Sequence, residues 1–413
     1  MTAHSLISDP LTDILEMPAS NPYLAPLEHY ARLSPEDRAA LDDWLSPPDA
    51  APPILTSAQQ TLACDLTAAL VTTASSPATT AADWAPVPDP ADPDNPAKAL
   101  VPINIPIRSL ANIVTRAAAT LPPAEAIAAY AAVARLGRQQ RTSSATIPQA
   151  NGVAVEDIAL LGVSKDLMRF SPAELRQLSA AWHDLPPPPS VASSLLCERD
   201  SFFNPMVEHV LRRGLLALLA EEAAQPETVS HLQSKQIVER SRAAAELRAF
   251  FGPSYGLFGP QADAGAKALR AWRNKVCAHP DGVDGYFRDL LAAYQQILDR
   301  QIAAAAQANA AADDATPRPD DLLRRFFVPR FARNFHRSAT QSSMLLAAIH
   351  HRLAALGQTN AAPPADPWAA DGASFAVETT PDGGFLLRSR YASRPNQPPT
   401  CKFASPDAGF QSK

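Results

Sequence analysis

The feature that most constrains this chain is its alanine content, about one residue in five, set in long blocks where larger apolar side chains recur every three or four positions. Such spacing is typical of helices with one apolar face. Alanine favours helix but buries little apolar area, so these helices are expected to pack closely. The 41 prolines cluster between the blocks and separate one helix from the next. The pattern predicts a mainly α fold, a multi-helix array or bundle.

Local signals mark where several of these helices begin. Ser171, followed by Pro172 and Glu174, forms a capping box with proline at the first helical position. Pro122 and Pro123 separate two apolar-periodic segments by a very short join. We therefore expect these two segments to form an antiparallel helical hairpin.

The C-terminal part of the chain has a different character. A last long helix is predicted for Pro329–Leu356, ending before a glycine. Beyond it, Ser374–Glu378 and Gly384–Arg390 alternate apolar and polar residues on either side of the turn signal Thr380–Gly383. This pattern predicts a β-hairpin, so the fold class becomes mainly α with a small C-terminal β-hairpin unit.

These patterns divide the chain into four predicted regions. Residues 1–100 are expected to be loosely structured, with short helices and a Pro/Ala-rich linker, and residues 101–328 to form an α-helical domain. The long helix and the hairpin define a third region, 329–392. The Pro- and Ser-rich residues 393–413 are expected to be a disordered tail.

Composition and charge argue against several functional classes. A net charge of −6 lacks the basic footprint of a nucleic-acid-binding protein. The four cysteines are scattered without a C-x-x-C pair, so neither a zinc site nor another cofactor is expected. No apolar stretch is long enough to span a membrane, and the first residues do not resemble a signal peptide. As written the chain is expected in the cytoplasm, with membrane association only through an anchor encoded ahead of Met1.

Arginine and phenylalanine interleave before and within the start of the last long helix. The candidate interaction residues are Arg324, Arg325, Phe327, Arg330, Phe331 and Arg333. Cationic heads beside apolar rings could contact a partner, an anionic membrane surface or a nucleic acid. The alternative is an amphipathic helix start whose rings face the core under the arginine stems. Partner contact predicts that Phe331 and Phe335 are exposed in the isolated chain, and this interpretation fails if both are fully buried.

Two further groups of polar residues are candidates for a site. Glu198 and Arg199 could hold a charge network in a cleft, or form a structural ion pair at a helix end. Glu208 and His209 lack the H-E-x-x-H spacing that places two metal ligands on one helix face. A hydrolase-type enzyme, with a site assembled from Glu198, Glu208 and His209, stays an alternative interpretation.

One motif follows the long helix. Asp366, Pro367 and Trp368 lie between that helix and the predicted hairpin. In this order of elements the C-terminal part resembles the major pseudopilins of type II secretion, where a long helix precedes an Asp-Pro-Trp motif and a small sheet. The start of the helix is rich in arginine here, and Tyr391–Asn396 lacks the acidic residues that a calcium loop needs. Neither pilus assembly nor a calcium cofactor is therefore expected.

The chain as a whole resembles a group of uncharacterised helical proteins from planctomycete and verrucomicrobial bacteria that end in a pseudopilin-like segment. The matching segments are Arg108–Ala111, Arg116-Ala117, Ala129–Gly137 and Glu198–Asp200. The resemblance implies a place at the bacterial cell envelope. Together with the residue patterns, it predicts a non-catalytic structural or protein-interaction protein with a protein partner, associated with the cell envelope or with secretion.

Overall fold

The structure is a computed structural model, and its described residues make up most of the chain. They are 21–44, 55–76, 104–143, 146–223, 234–251, 262–306, 330–369, 371–381, 383–390 and 400–403. Within these ranges lie thirteen α-helices and one three-stranded antiparallel sheet near the C-terminus. The predicted fold class, mainly α with a small C-terminal β unit, is confirmed.

The first half of the described chain contains helices and no strand among the residues that the structure describes. Its helices are α1 (Leu24–Ala31), α2 (Pro35–Trp44), α3 (Ser57–Ala74), α4 (Asn104–Ala118), α5 (Pro123–Gln140), α6 (Thr146–Asp166), α7 (Pro172–His183) and α8 (Val191–Glu198). The predicted capping box is confirmed, because Ser171 Oγ accepts from the Glu174 backbone N–H and Glu174 Oε2 accepts from the Ser171 backbone N–H. This reciprocal pair begins α7 at Pro172.

The second half begins with two π-helical segments, Arg199–Phe203 and Met206–Arg212. They flank Pro205, which has no backbone N–H to donate and so interrupts the regular α-helical ladder. The remaining helices are α9 (Arg213–Ala223), α10 (Ser234–Phe250), α11 (Ala262–Cys277), α12 (Gly282–Ala306) and α13 (Arg330–Ala355). No described helix combines the length and the apolarity that a membrane span requires.

The sheet is an antiparallel meander of β1 (Ala376–Thr379), β2 (Phe385–Arg388) and β3 (Thr400–Phe403). The predicted hairpin corresponds to β1 and β2. The predicted disordered tail, residues 393–413, is wrong at β3, where Phe403 is buried and pairs in register with Phe385. Their rings stack with centroids 5.0 Å apart. A single aromatic residue among polar neighbours was too weak a signal to predict this strand.

Apolar side chains form two cores. The first core joins α1–α7 to the second half of α13 and the sheet. The second joins α8–α12 and the π-helical segments, with Val153 of α6 beside them. Helix α13 contributes to both, with Phe335 in the second core and Leu345 and Ile349 in the first. The four predicted regions stay predictions, but Leu27 and Leu66 share the first core with residues beyond 100. Helix α13 therefore connects the two packing units.

Candidate functional site

Helices α5 and α6 approach each other closely where two glycines face one another. A Cβ built on Gly137 would lie 2.7 Å from the Gly152 carbonyl oxygen, and one on Gly152 would lie 2.5 Å from the Gly137 carbonyl oxygen. Only glycine fits at such distances without moving a backbone. The close crossing brings side chains of the last turn of α5 against the middle of α6.

At this crossing one carboxylate is shared by two guanidinium groups. Arg138 Nε donates to Glu156 Oε1 at 2.6 Å, and Arg141 Nη1 donates to Glu156 Oε2 at 2.8 Å. The exposed fractions of the three side chains are 9%, 0% and 2% for Arg138, Glu156 and Arg141. Charge-assisted hydrogen bonds shielded from water are strong but depend on every partner being present. We call these three residues the buried network.

The buried network extends to two more helices through Arg138. Its Nη1 donates to the Pro186 carbonyl oxygen at 2.9 Å, in the segment after α7, and its Nη2 donates to Ser342 Oγ of α13 at 3.1 Å. Ser342 Oγ also accepts from Trp182 Nε1 of α7 at 3.0 Å. Arg138 and its partners therefore tie α5, α6, α7 and α13 together in the middle of the molecule.

Arg141 connects the buried network to the second core. Its guanidinium carbon lies 4.7 Å from the centroid of the Phe335 ring, a cation–π contact. Burial lowers the pKa of Arg141 while Glu156 raises it, and the guanidinium stays charged. Phe335 is only 1% exposed. The expectation that Phe335 is exposed in the isolated chain is therefore wrong, because its ring fills the space beside Arg141 and the second core.

A second acidic residue follows the buried network on α6. Asp157 Oδ2 accepts from Arg337 Nη2 of α13 at 3.2 Å, whereas Asp157 Oδ1 is buried without a hydrogen-bond partner. Burial raises the pKa of Asp157 to about 6, with Glu156 adding to the rise and Arg337 and Arg141 opposing it. Desolvation of the carboxylate outweighs the two favourable cations.

The residues proposed for interaction lie at or before the start of α13. Arg324, Arg325 and Phe327 fall outside the described residues. Arg330, Phe331 and Arg333 form the first turn of α13. Their role in partner contact stays a prediction.

Of the Glu198 and Arg199 pair proposed from the sequence, the side chain of Glu198 lies outside the described residues, and Arg199 contacts Asp200 and Gln295. Arg199 Nε and Nη2 donate to the two carboxylate oxygens of Asp200 at 2.6 and 2.9 Å, and its Nη1 donates to Gln295 Oε1 of α12 at 3.2 Å. These hydrogen bonds lower the pKa of Asp200. Asp200 is more than half exposed, so its contact with Arg199 is a surface ion pair within the first π-helical segment. The hydrogen bond from Arg199 to Gln295 links this segment to α12.

Glu208 also forms part of a surface ion pair. Its carboxylate contacts Arg212 one turn later, and Arg212 Nη2 donates to Asp284 Oδ1 of α12 at 2.8 Å. All three side chains are at least one third exposed. We call these three residues the surface network. It connects the second π-helical segment to the start of α12.

The Asp366-Pro367-Trp368 motif anchors the sheet to α13. The buried Asp366 carboxylate accepts hydrogen bonds from the backbone N–H groups of Trp368 at 3.0 Å and Arg390 at 2.6 Å, and from Ser389 Oγ. Trp368 Nε1 donates to Thr340 Oγ1 of α13 at 2.6 Å. The motif therefore fixes the loop after α13 both to the end of β2 and to the helix itself.

Sequence reasoning did not identify the buried network. The signal was available, since Arg138 and Glu156 lie on alanine-rich helices, Arg141 directly follows α5, and Gly137 and Gly152 lie within four residues of these charges. Charged residues are almost never fully buried unless they are paired. Which charges would meet depends on the crossing of α5 and α6, which local patterns do not specify.

Comparison with known proteins found no relative of this chain. No protein-family model matches this chain, and no curated protein or solved structure shows significant similarity to it. The pseudopilin-like and planctomycete resemblances therefore stay predictions.

Proposed function

We propose that this is a non-catalytic structural or protein-interaction protein, in which α13 presents the Arg/Phe segment, residues 324–333, to a partner protein. The observation that carries the proposal is the fixation of α13 from Phe335 to Ile349 in both cores. A helix held in this way offers its first turn, Arg330–Arg333, on a rigid support.

The buried network supports a structural role. Glu156 is shared by Arg138 and Arg141, and all three are enclosed by helices of the same chain. Buried ionic groups of this kind contribute little net stability but penalise arrangements in which one charge loses its partner. The buried network therefore favours one packing of α5, α6 and α13 over its alternatives.

The rigid support makes partner binding more favourable. Contact through a preformed helix avoids most of the conformational entropy that an unfolded segment loses on binding. The first turn of α13 carries Arg330, Phe331 and Arg333, and the residues just before it carry Arg324 and Phe327. Aromatic residues and arginine are the types enriched where binding energy concentrates.

Site-specific photo-crosslinking in living cells tests the partner proposal. A photoreactive phenylalanine analogue is placed at Phe327 or Phe331, and in a control at the exposed Leu161 of α6. We expect one defined protein adduct from positions 327 and 331, lost when Arg330→Glu and Arg333→Glu are introduced together. Equal adducts from all three positions, or none at 327 and 331, would contradict the proposal. Hydrolysis by the purified chain that disappears on Glu208→Gln would support the hydrolase alternative.

An association with the cell envelope or with secretion is the second part of the proposal. The order of elements supports it, because α13 is followed by Asp366, Pro367 and Trp368 and then by the sheet. This is the order on which the resemblance to the major pseudopilins is based. Fractionation of the source cells, with detection of the native chain, tests this part. We expect it in the envelope fraction, and a purely cytosolic pool would contradict the association.

A further inference from the structure

We propose that Arg141 is a positioning residue for the helical part of the Arg/Phe segment, and that it fixes the direction in which the first turn of α13 leaves the two cores. The inference rests on the proposed function for what this turn contacts. The position of the turn itself depends on contacts within this chain, so it can be measured in the isolated protein.

The first turn of α13 is followed closely by an aromatic anchor. Among the described side chains of this helix, Asn334 is exposed, whereas Phe335 is 1% exposed and belongs to the second core. Phe335 follows Phe331 by one helical turn, which is about 6 Å along the helix axis. The placement of the Phe335 ring therefore sets the direction of the turn that precedes it.

The side chain of Arg141 is held at its stem and at its head. Gly152 leaves room for the stem, because a Cβ built at Gly152 would lie 2.8 Å from Arg141 Cγ. At the head, Arg141 Nη1 donates to Glu156 Oε2 at 2.8 Å, and the side chain is only 2% exposed. Tight packing and a charge-assisted hydrogen bond leave the guanidinium little freedom to move. It is thus a fixed point against which another side chain can be placed.

The Phe335 ring lies against this fixed point. The guanidinium carbon of Arg141 is 4.7 Å from the ring centroid, within the range of a cation–π contact, and such contacts are strongest away from water. Further along α13 the helix has other anchors, since Ser342 Oγ accepts from Arg138 and Leu345 lies in the first core. Arg141 therefore acts on the start of α13, and Arg138 acts on its middle.

A second contact near the start of α13 is weaker. Arg337 Nη2 lies 3.2 Å from Asp157 Oδ2, and the two side chains are 43% and 26% exposed. Water screens this ion pair, so it restrains α13 less than a contact that is shielded from water. Loss of the Arg141 contact should consequently loosen the first turn even though Arg337 still reaches α6.

Hydrogen exchange of the full chain, followed by mass spectrometry, tests this role. In an α-helix the amide N–H groups of residues 334–338 donate to the carbonyls of residues 330–334, so their protection reports whether the first turn is formed. In Arg141→Met we expect this protection to fall about tenfold, as for the loss of a cation–π contact away from water. Protection of residues 346–352 should stay within about twofold of the wild type, because separate parts of a structure open independently.

Arg138→Met is the matched control. It takes the other arginine away from the same Glu156 and leaves the contact between Arg141 and Phe335 in place. A positioning role predicts that only Arg141→Met lowers the protection of residues 334–338. Equal losses in the two variants would show a merely structural role and would overturn the proposal.

Photo-crosslinking separates this inference from the proposed function. If a partner contacts the first turn, Arg141→Met should reduce the adduct from position 331 and Arg138→Met should not. If the wild type gives no adduct, the partner proposal fails, while the exchange experiment still decides the role of Arg141.

A second measurement decides the question if Arg141→Met does not fold. A trifluorinated phenylalanine at position 335 keeps a ring in the second core but weakens the negative ring face that attracts the guanidinium. We expect the protection of residues 334–338 to fall about fivefold. Unchanged protection would overturn the proposal.

Discussion

The buried network and the surface network are built on the same plan with the charges exchanged. In the buried network one acid, Glu156, serves two arginines, whereas in the surface network Arg212 serves two acids. Their distances are similar, but Glu156 is fully shielded from water while Asp284 is 76% exposed. Distance alone therefore says little about what an ion pair does for the protein.

Water makes the difference between the two networks. At the surface it solvates each charge when its partner leaves, so a pair contributes roughly 0–1 kcal/mol. In the interior no water replaces a lost partner, and removing one charge strands the others. This helix packing therefore requires every charge of the buried network, whereas the surface network adds little to the stability of the fold.

The largest difference between the networks should appear when one acid of each network is neutralised. Glu156→Gln leaves Arg138 and Arg141 without a counter-charge in the interior and should lower the free energy of unfolding by about 3–5 kcal/mol. Urea denaturation followed by circular dichroism measures the loss. Asp284→Asn, the matched change in the surface network, should cost at most about 1 kcal/mol. Equal losses in the two variants would contradict the distinction drawn between them.

A smaller effect is expected from a change that pushes α5 and α6 apart beside the buried network. Gly152→Ala adds a methyl group 2.5 Å from the Gly137 carbonyl oxygen, and overpacking of this kind costs about 1–3 kcal/mol. We expect a lower thermal midpoint by differential scanning calorimetry. Ala150→Ser, an exposed position two residues earlier on α6, is the control and should change little. A neutral Gly152→Ala would indicate that α5 and α6 can separate without loss.

The smallest effect is expected at the surface. Arg212→Gln removes both ion pairs of the surface network and should lower the free energy of unfolding by at most about 1 kcal/mol. Because salt screens exposed charges, the difference from the wild type should vanish in 1 M sodium chloride, where the screening length is about 3 Å. Urea titrations at low and high salt measure it. A large loss that persists in high salt would show that the surface network is shielded more than its exposure indicates.

Features set by neighbours in the chain could be predicted. The capping box at Ser171, the mainly helical fold and the first two strands follow from residues a few positions apart, since helices, caps and hairpins are local structures. The position of Asp366, Pro367 and Trp368 between helix and sheet was also predicted. What the motif does was not, because Ser389, Arg390 and Thr340 meet it only after the chain folds back.

Sequence alone therefore determined the helical character of this protein, the capped start of α7 and the change to strands near its C-terminus. The tertiary structure alone decided that β3 completes the sheet, that Phe335 is buried against Arg141 and that Glu156 serves two arginines. The physical reason is range: hydrogen bonds within a helix join residues four apart, whereas the burial of a charge depends on which distant helices exclude water from it.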